Sequence, residues 1–257
     1  MPESIISIRD LTLGYYGSSV LESISLDIRA GEKLCIVGLN GSGKSTLIKA
    51  LDRCIKPTGG GLYLKQKEYA RYSKKEFARL VSYVPQLRPT PSISVKALVE
   101  HGRYPYVGFG RKLSARDRSM VEEAIAFTGL GGCENRLIET LSGGERQRAY
   151  LAMAIAQDTE VMLLDEPASS MDISSRLSML ELLSSINSKK GAAIVMIMHE
   201  LADALTFADR ICLIHNKGIS ACRKPDELLS SGLLEDVFGV KIHDVDNGRA
   251  YWFERIR

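Results

Sequence analysis

The sequence predicts an α/β fold, a mainly parallel sheet with flanking helices, on three observations. Short and fully apolar runs such as VMLLD (161–165) and AAIVMIM (192–198) read as strands buried on both faces. A helical stretch, SSRLSMLELLSSI (174–186), separates those two runs, which is the alternation of a parallel sheet. A third apolar run, KLCIV (33–37), breaks at a glycine-rich turn, GLNGSGKST (38–46), from which a helical pattern starts at Lys44. The 257 residues, 45% hydrophobic and 25% charged, are enough to bury a substantial core.

Each element follows in order. IISIRDLTLGYY (5–16) and VLESISLDI (20–28) carry strand-like alternation, so the first part reads as an antiparallel β subdomain leading into KLCIV. The helix KSTLIKALDRC (44–54) stops before the breaker cluster KPTGGG. GLYL (61–64) and VSYV (81–84) read as strands around a helix from Ser73 to Leu80. Beyond Pro85 lies a Pro- and Ser-punctuated stretch, then helical segments near 94–102, 114–128 and 142–157 without a convincing strand. The segment from about 87 to 157 is therefore expected to be a helical subdomain inserted into the α/β core. ADRICLIH (208–215) and GISAC (218–222) suggest a closing hairpin, PDELLSS and LLEDVF short helices, and AYWFERI (250–256) a last strand. The expected organisation is one domain: core and β subdomain over about 1–86 and 158–222, the helical insertion, and a C-terminal extension over about 223–257. There is no internal repeat.

Bulk properties exclude several classes. A net charge of +3, from 34 basic and 31 acidic residues, argues against a nucleic-acid partner, which asks for a strongly basic face. The five cysteines (35, 54, 133, 212, 222) are scattered without a CxxC pair, which fits buried, reduced thiols rather than a disulfide framework or zinc site. MPESIISIRD lacks the apolar stretch of a signal peptide, and no apolar run approaches the roughly 18 residues of a membrane span. A soluble chain is expected, reaching a membrane only through a partner.

Gly38-x-x-x-x-Gly43-Lys44-Ser45, with Asn40, Gly41, Ser42 and Thr46 in the same turn, is a phosphate-binding P-loop pattern. Glycines let backbone N–H groups converge on phosphate oxygens, and the following helix adds its positive end. Lys44 supplies a point charge for the β- and γ-phosphates and Ser45 a Mg²⁺ ligand. The competing reading, a plain glycine-rich turn, does not explain a strand before it and a helix after it. In VMLLDE, a strand buried on both faces carries acids only at its end, where a sheet edge opens on a phosphate site. Asp165 fits a Mg²⁺ partner and Glu166 a base or orienter for attacking water; alone, the pair could equally be a solvated turn. In LSGGERQR (141–148), Ser142 and Glu145 form a capping box. Two glycines in a first turn weaken a helix, however, and a serine with bare N–H groups there makes a second anion site.

Together these motifs resemble the ATP-binding cassette (ABC) ATPases over nearly the whole chain: Walker A (38–46), the LSGGE signature (141–145) and Walker B with its glutamate (161–166), in the family's order. The resemblance implies ATP and Mg²⁺ as ligands and assigns further residues. Tyr15 matches the aromatic that stacks on adenine, with Tyr16 as neighbouring candidate and core packing as the bland alternative. Gln86 matches the Q-loop glutamine that touches Mg²⁺ or water and senses a permease, Asp172 the D-loop aspartate, and His199 the switch histidine that contacts the γ-phosphate. It also implies that Ser142, Gly143, Gly144 and Glu145 act in trans, covering ATP held by a second copy in a head-to-tail sandwich dimer. Two departures stand out: Glu200 where the family usually has Asp, and Ser169-Ser170-Met171-Asp172 where Ser-Ala-Leu-Asp is common.

A narrower resemblance runs through ALVEHGRYPYVGFGRKLSARDRSMVEEAI (97–125) and PDELLSSGLLEDVFGV (225–240), which look like the nucleotide-binding subunits of ferric siderophore, haem and cobalamin importers. It implies an integral permease with two-fold symmetry, an indirect link to a substrate-binding protein, and a place on the cytoplasmic face of the membrane. Arg103, Arg111, Lys112, Arg116 and Arg118 form either a solvated basic face or part of a docking face. A soluble ABC ATPase of the iron–sulfur assembly type and an exporter cassette are the alternatives.

Overall fold

The computed structural model describes residues 4–86, 89–108, 112–169, 171–245, 248 and 250–256. Arg111 and Ser170, both singled out in the sequence, lie outside the described residues. In chain order the elements are β1 (Ser4–Tyr15), β2 (Ser18–Arg29), β3 (Lys33–Val37), α1 (Lys44–Leu51), β4 (Gly59–Leu64), β5 (Lys67–Glu68), α2 (Lys74–Ala78), β6 (Val81–Val84), α3 (Val95–Glu100), α4 (Ala115–Phe127), α5 (Gly143–Gln157), β7 (Val161–Asp165), α6 (Ile173–Lys190), β8 (Ala193–Ile197), α7 (Leu201–Phe207), β9 (Arg210–His215), β10 (Gly218–Arg223), α8 (Pro225–Ser230), α9 (Leu233–Phe238), β11 (Val240–Asp244) and β12 (Tyr251–Arg255).

Three sheets result, ordered β2-β1-β4-β5, β10-β9-β3-β8-β7-β6 and β11-β12. The first is antiparallel. The second is parallel throughout except for the β9–β10 hairpin. This is the expected mixed, mainly parallel architecture with an N-terminal antiparallel sheet.

The parallel strands look uniformly apolar because they serve two cores at once. Cys35, Val37, Met162, Leu164, Ile194 and Met196 face the core shared with α3–α7. Their neighbours Leu34, Ile36, Leu163, Val195 and Ile197 face the core shared with α1, β1 and β2. Alternate residues thus point to opposite faces, and neither face meets water.

Helices α3, α4 and α5 pack on one another and on the first of these cores. Ser114 and Ser142 each start a helix with a complete capping box, closed by Asp117 and Glu145. The GRYP string (102–105) is partly internal. A Cβ on Gly102 would lie 2.2 Å from the Met153 carbonyl, so the turn touches α5 backbone. Arg103 corrects the reading of a solvated or docking basic face: it is only 4% exposed. Its Nε pairs with Asp117 Oδ1 at 3.0 Å and its Nη1 donates to the Ala156 carbonyl at 2.6 Å, tying α4 to the end of α5. Lys112, Arg116 and Arg118 are exposed.

Helix α7 and strand β11 have no counterpart in the sequence reading. Helix α7 is seven residues long and starts at Glu200 without a side-chain cap, so it lacks a start signal; burial of Leu201, Ala204, Leu205 and Phe207 holds it. Strand β11 is defined by its pairing with β12, not by an apolar run.

Candidate functional site

Four parallel strands end on one rim of the sheet. Gly38 follows β3, Gln86 lies two residues beyond β6, Asp165 ends β7 with Glu166 next, and His199 lies two residues beyond β8. The register aligns Ile36 with Ile197 and Ile197 with Asp165, so these ends are level across the sheet. Residues more than a hundred positions apart are thereby delivered to one edge, where parallel sheets place their ligands.

The P-loop is shaped by close backbone approach. A Cβ on Gly38 would sit 2.3 Å from the Ile214 carbonyl oxygen. Gly43 has φ +104° with its Cα against Leu21, where a Cβ would come within 2.9 Å of Cδ2. Lys44 is buried and its Nζ donates to the carbonyls of Gly38 at 2.8 Å and Leu39 at 3.0 Å, which centres the ammonium inside the loop. Burial holds Lys44 below the usual lysine range, against the pull of Glu166 and Asp165. Helix α1 opens without a side-chain cap and without an acid in its first turn, leaving its first N–H groups and positive end directed at the loop.

Asp165 is 2% exposed. Ser45 donates to its Oδ1 and Tyr83 to its Oδ2, both at 3.4 Å. Burial, then the charge of Glu166, raises its carboxyl above the ordinary range. Glu166 has φ +51°, a left-handed conformation that a non-glycine residue holds at a cost of about 1–3 kcal/mol. That bend turns its carboxylate toward Gln86 and His199, whose amide N–H and imidazole Nε2–H both donate to it. Gln86, Glu166 and His199, read from three separate strings, are one hydrogen-bonded cluster beside Lys44, Ser45 and Asp165. Tyr83 is the member that the sequence reading missed. Its position three residues before Gln86 on β6 is the signal that could have found it.

The signature is a second, separate construction. The Ser142 side chain accepts from Glu145 N–H at 3.2 Å and the Ser142 N–H donates to Glu145 Oε2 at 2.9 Å. Arg136 Nη1 adds a 2.9 Å contact to Glu145 Oε1. The bland capping-box reading is thus correct for these side chains, while Gly143 and Gly144 carry no side chain that would shield the helix end. Nothing lies within 4 Å of a Cβ built on Gly143. Among the described residues, no hydrogen bond joins Ser142–Glu145 to the P-loop of the same chain. Helix α5 is linked instead to the Gln86 segment through Tyr150, whose hydroxyl donates to the Pro89 carbonyl at 2.7 Å.

Tyr15 and Tyr16 are 43% and 106% exposed, which removes core packing as their explanation. They lie in a tight hairpin where Tyr16 and Gly17 both have positive φ. Asp172 caps α6, accepting from Ser175 N–H at 2.9 Å, and Met171 packs toward the signature, its Cε 4.0 Å from a Cβ built on Gly144. Glu200 pairs at 3.8 Å with Arg176, which also meets Asp203 at 2.9 Å, so this departure adds an ion pair between α6 and α7.

The ABC transporter family's sequence profile matches residues 21–169. The achromobactin transport ATP-binding protein CbrD of Dickeya dadantii (strain 3937) is 38% identical over 91% of this chain and 88% of its own length. The petrobactin import ATP-binding protein FpuD of Bacillus anthracis is 38% identical over 92% and 87%. The ferric enterobactin transport ATP-binding protein FepC of Escherichia coli (strain K12) is 36% identical over 96% and 92%. Among solved structures, a metal-chelate type ABC transporter in an inward-facing conformation aligns with TM-score 0.83 at 23% identity, covering 98% of this chain and 96% of that one. A dimeric ATP-binding cassette in a post-hydrolysis state, bound to ADP and phosphate, aligns with TM-score 0.75 at 23% identity, over 86% and 98%. At these identities the two structures bear on the fold.

Proposed function

The chain belongs to the ABC transporter family as an ATP-binding subunit, an ATPase, and from that premise we propose that it powers import of a ferric siderophore or a similar metal chelate. Two observations support the reading: relatives at 36–38% identity over most of the chain bear siderophore- or iron-chelate-transport names, and the rim gathers Lys44, Ser45, Gln86, Asp165, Glu166 and His199.

The geometry supports the following roles. Backbone N–H groups from Gly38 to Thr46, with Asn40, Gly41 and Ser42 in the turn, cradle the phosphates, and Lys44 offsets their charge. Tyr15, exposed at the hairpin tip, stacks on adenine. Ser45, Asp165 and Gln86 are hard oxygen donors that fit Mg²⁺, and the 3.4 Å between Ser45 and Asp165 leaves both within reach of one ion. Mg²⁺, when bound there, neutralises charge on the β- and γ-phosphate oxygens. Glu166, bent toward the site by its positive φ, orients the attacking water and accepts its proton. His199 and Gln86 fix that carboxylate from two sides, and His199 meets the γ-phosphate.

The signature, complete as a cap and, among the described residues, without a hydrogen bond to its own P-loop, supports action in trans. Ser142, Gly143, Gly144 and Glu145 of one copy then close over ATP held by the other, with Asp172 near that junction, in a two-fold pair. ATP stabilises the closed pair because the contacts of the signature with its γ-phosphate exist only there, and hydrolysis removes them. The Gln86 segment, joined to Glu166 and through Pro89 to α5, would carry the change to an integral permease, served in turn by a substrate-binding protein. No helix among the described residues is long and apolar enough to cross a membrane, which is consistent with a peripheral subunit held at the cytoplasmic face by that permease.

The test is recovery of the tagged full chain from solubilised membranes, with uptake of chelated iron measured in cells lacking it. An integral membrane protein in the complex, and uptake restored by the wild-type chain but not by Glu166→Gln, is the expected outcome. ATPase activity with no membrane partner and unchanged uptake would favour a soluble assembly role.

A further inference from the structure

Away from the nucleotide rim, the same sheet holds a second reactive pair. Cys212 and Cys222 are directly opposed across the antiparallel β9 and β10, and both side chains belong to the same core face. Arg210, two residues before Cys212 on β9, donates from Nη2 to Cys222 Sγ at 2.8 Å. Its other nitrogen is anchored by buried Glu32, Nη1 to Oε1 at 3.0 Å. The guanidinium thus holds a positive charge directly against the Cys222 sulfur.

The two sulfurs are not equivalent. The neighbouring Cys212 thiol, and then the charge of Arg210, pulls Cys222 below the ordinary thiol range against its burial. The facing Cys222 sulfur, with complete burial, pushes Cys212 well up. Cys222 is half-buried on the edge strand, whereas Cys212 is fully buried. The exposed Cys54 is the opposite case: partial burial of its sulfur and then Asp52 push it up to about 11. A reactive thiol with a buried thiol beside it is the arrangement of an attacking and a resolving cysteine.

We propose that Cys222 is a peroxide-reactive thiolate that Cys212 resolves into a cross-strand disulfide, and that closing this bond weakens ATP binding at the P-loop. The Cys222 thiolate attacks one oxygen of hydrogen peroxide, the O–O bond breaks, hydroxide leaves, and Cys222 becomes a sulfenic acid. The Cys212 sulfur, giving up its proton, then attacks Cys222 Sγ; the S–O bond breaks and water leaves. Two thiols have lost two electrons to one peroxide.

The strain has a path to the P-loop. Opposed residues on antiparallel strands have Cβ atoms about 4.5–5.5 Å apart, whereas a disulfide asks for about 3.5–4.5 Å. Bond closure therefore draws β9 and β10 together. The turn between them is anchored on β2, by Glu22 N–H to the Lys217 carbonyl at 2.9 Å and Lys217 to Glu22 at 3.0 Å. Strand β9 accordingly takes part of the displacement. Cys212 pairs with Ile36 of β3, and the Ile214 carbonyl is the atom on which Gly38 closes.

The ATP limb rests on the P-loop reading above, and the experiment separates the two. The reduced full chain is titrated with ATP, treated with hydrogen peroxide, titrated again, then reduced with dithiothreitol and titrated a third time. Peptides are mapped by mass spectrometry after alkylation in denaturant. Expected are a Cys212–Cys222 crosslink with Cys54 still alkylated, and a roughly five-fold or larger rise in ATP Kd that reverses on reduction. Cys222→Ser should form no crosslink, and Cys212→Ser should stop at a sulfenic acid trapped by dimedone. If the reduced wild type binds ATP but both thiols remain alkylated after peroxide, or if the disulfide forms and ATP affinity is unchanged, the proposal is overturned. A reduced chain that fails to bind ATP overturns the P-loop reading along with it.

Discussion

Asp165 at the sheet rim and Glu145 at the signature helix are both acids beside glycine-rich turns, yet their surroundings push them in opposite directions. Burial and the charge of Glu166 raise Asp165 above the carboxylate range. The Ser142 backbone N–H, its hydroxyl and then Arg136 hold Glu145 below it. The contrast extends to their neighbours. Glu166 stands at a strained φ and Lys44 is lowered by burial, whereas Asp172 is held down by the N–H and hydroxyl of Ser175. The rim thus gives up stability to bring charges together, as functional sites do. The signature is a relaxed helix cap, with its polar side chains already satisfied.

The sharpest challenge to that contrast is Glu166→Gln. Hydrolysis should fall about a hundred-fold or more in a steady-state phosphate-release assay while ATP binding persists. Turnover near wild type would remove Glu166 from the mechanism. Ser142→Arg should abolish ATPase activity in the dimer while leaving the Kd of the isolated monomer for ATP unchanged. A large loss of monomer affinity would mean that the signature serves its own nucleotide.

Arg103→Ala tests the third kind of charge, one buried for structure alone. Removing it leaves Asp117 without its partner and should cost about 3 kcal/mol in denaturant unfolding, with ATP affinity intact. A cost within a few tenths would mean that Arg103 has no structural role.

The smallest effects bear on the contrast directly. Glu145 has a lower pKa folded than unfolded, so its contribution is present above the ordinary carboxylate range and is lost as pH falls through the folded value. Glu145→Gln should therefore lower stability near neutral pH by about 1 kcal/mol and much less in acid. Asp165 has a higher pKa folded, so its charged form costs stability that is absent in acid and builds as pH rises through the folded value. Asp165→Asn should raise the Tm of the nucleotide-free chain near neutral pH by roughly a few degrees, and the gain should vanish in acid. Shifts of the same sign for both variants would dissolve the distinction.

What could be read before the structure follows from where the physics is local. Two-faced burial writes an unbroken apolar run, as in VMLLD, and a loop that must approach backbone closely writes its glycines, as at Gly38 and Gly43. Helix caps are equally local, and Ser142 with Glu145 was legible to the residue. Helix α7 was not, because its seven residues lack a cap and depend on packing. Nor was the burial of Arg103, since a lone arginine among polar neighbours has the look of surface until Asp117 and the end of α5 close around it.

By itself, then, the sequence determined the strands of the parallel sheet, the glycine-rich phosphate-loop pattern and the signature cap. Only the tertiary structure decided that Gln86, Glu166 and His199 share hydrogen bonds, that Tyr83 stands on Asp165, and that Cys212 faces Cys222. The physical reason is register. Propensity and pattern act over a few residues, while the alignment of strand ends across a sheet is set by the packing of the whole core, and it is that alignment which turns separate strings into one site.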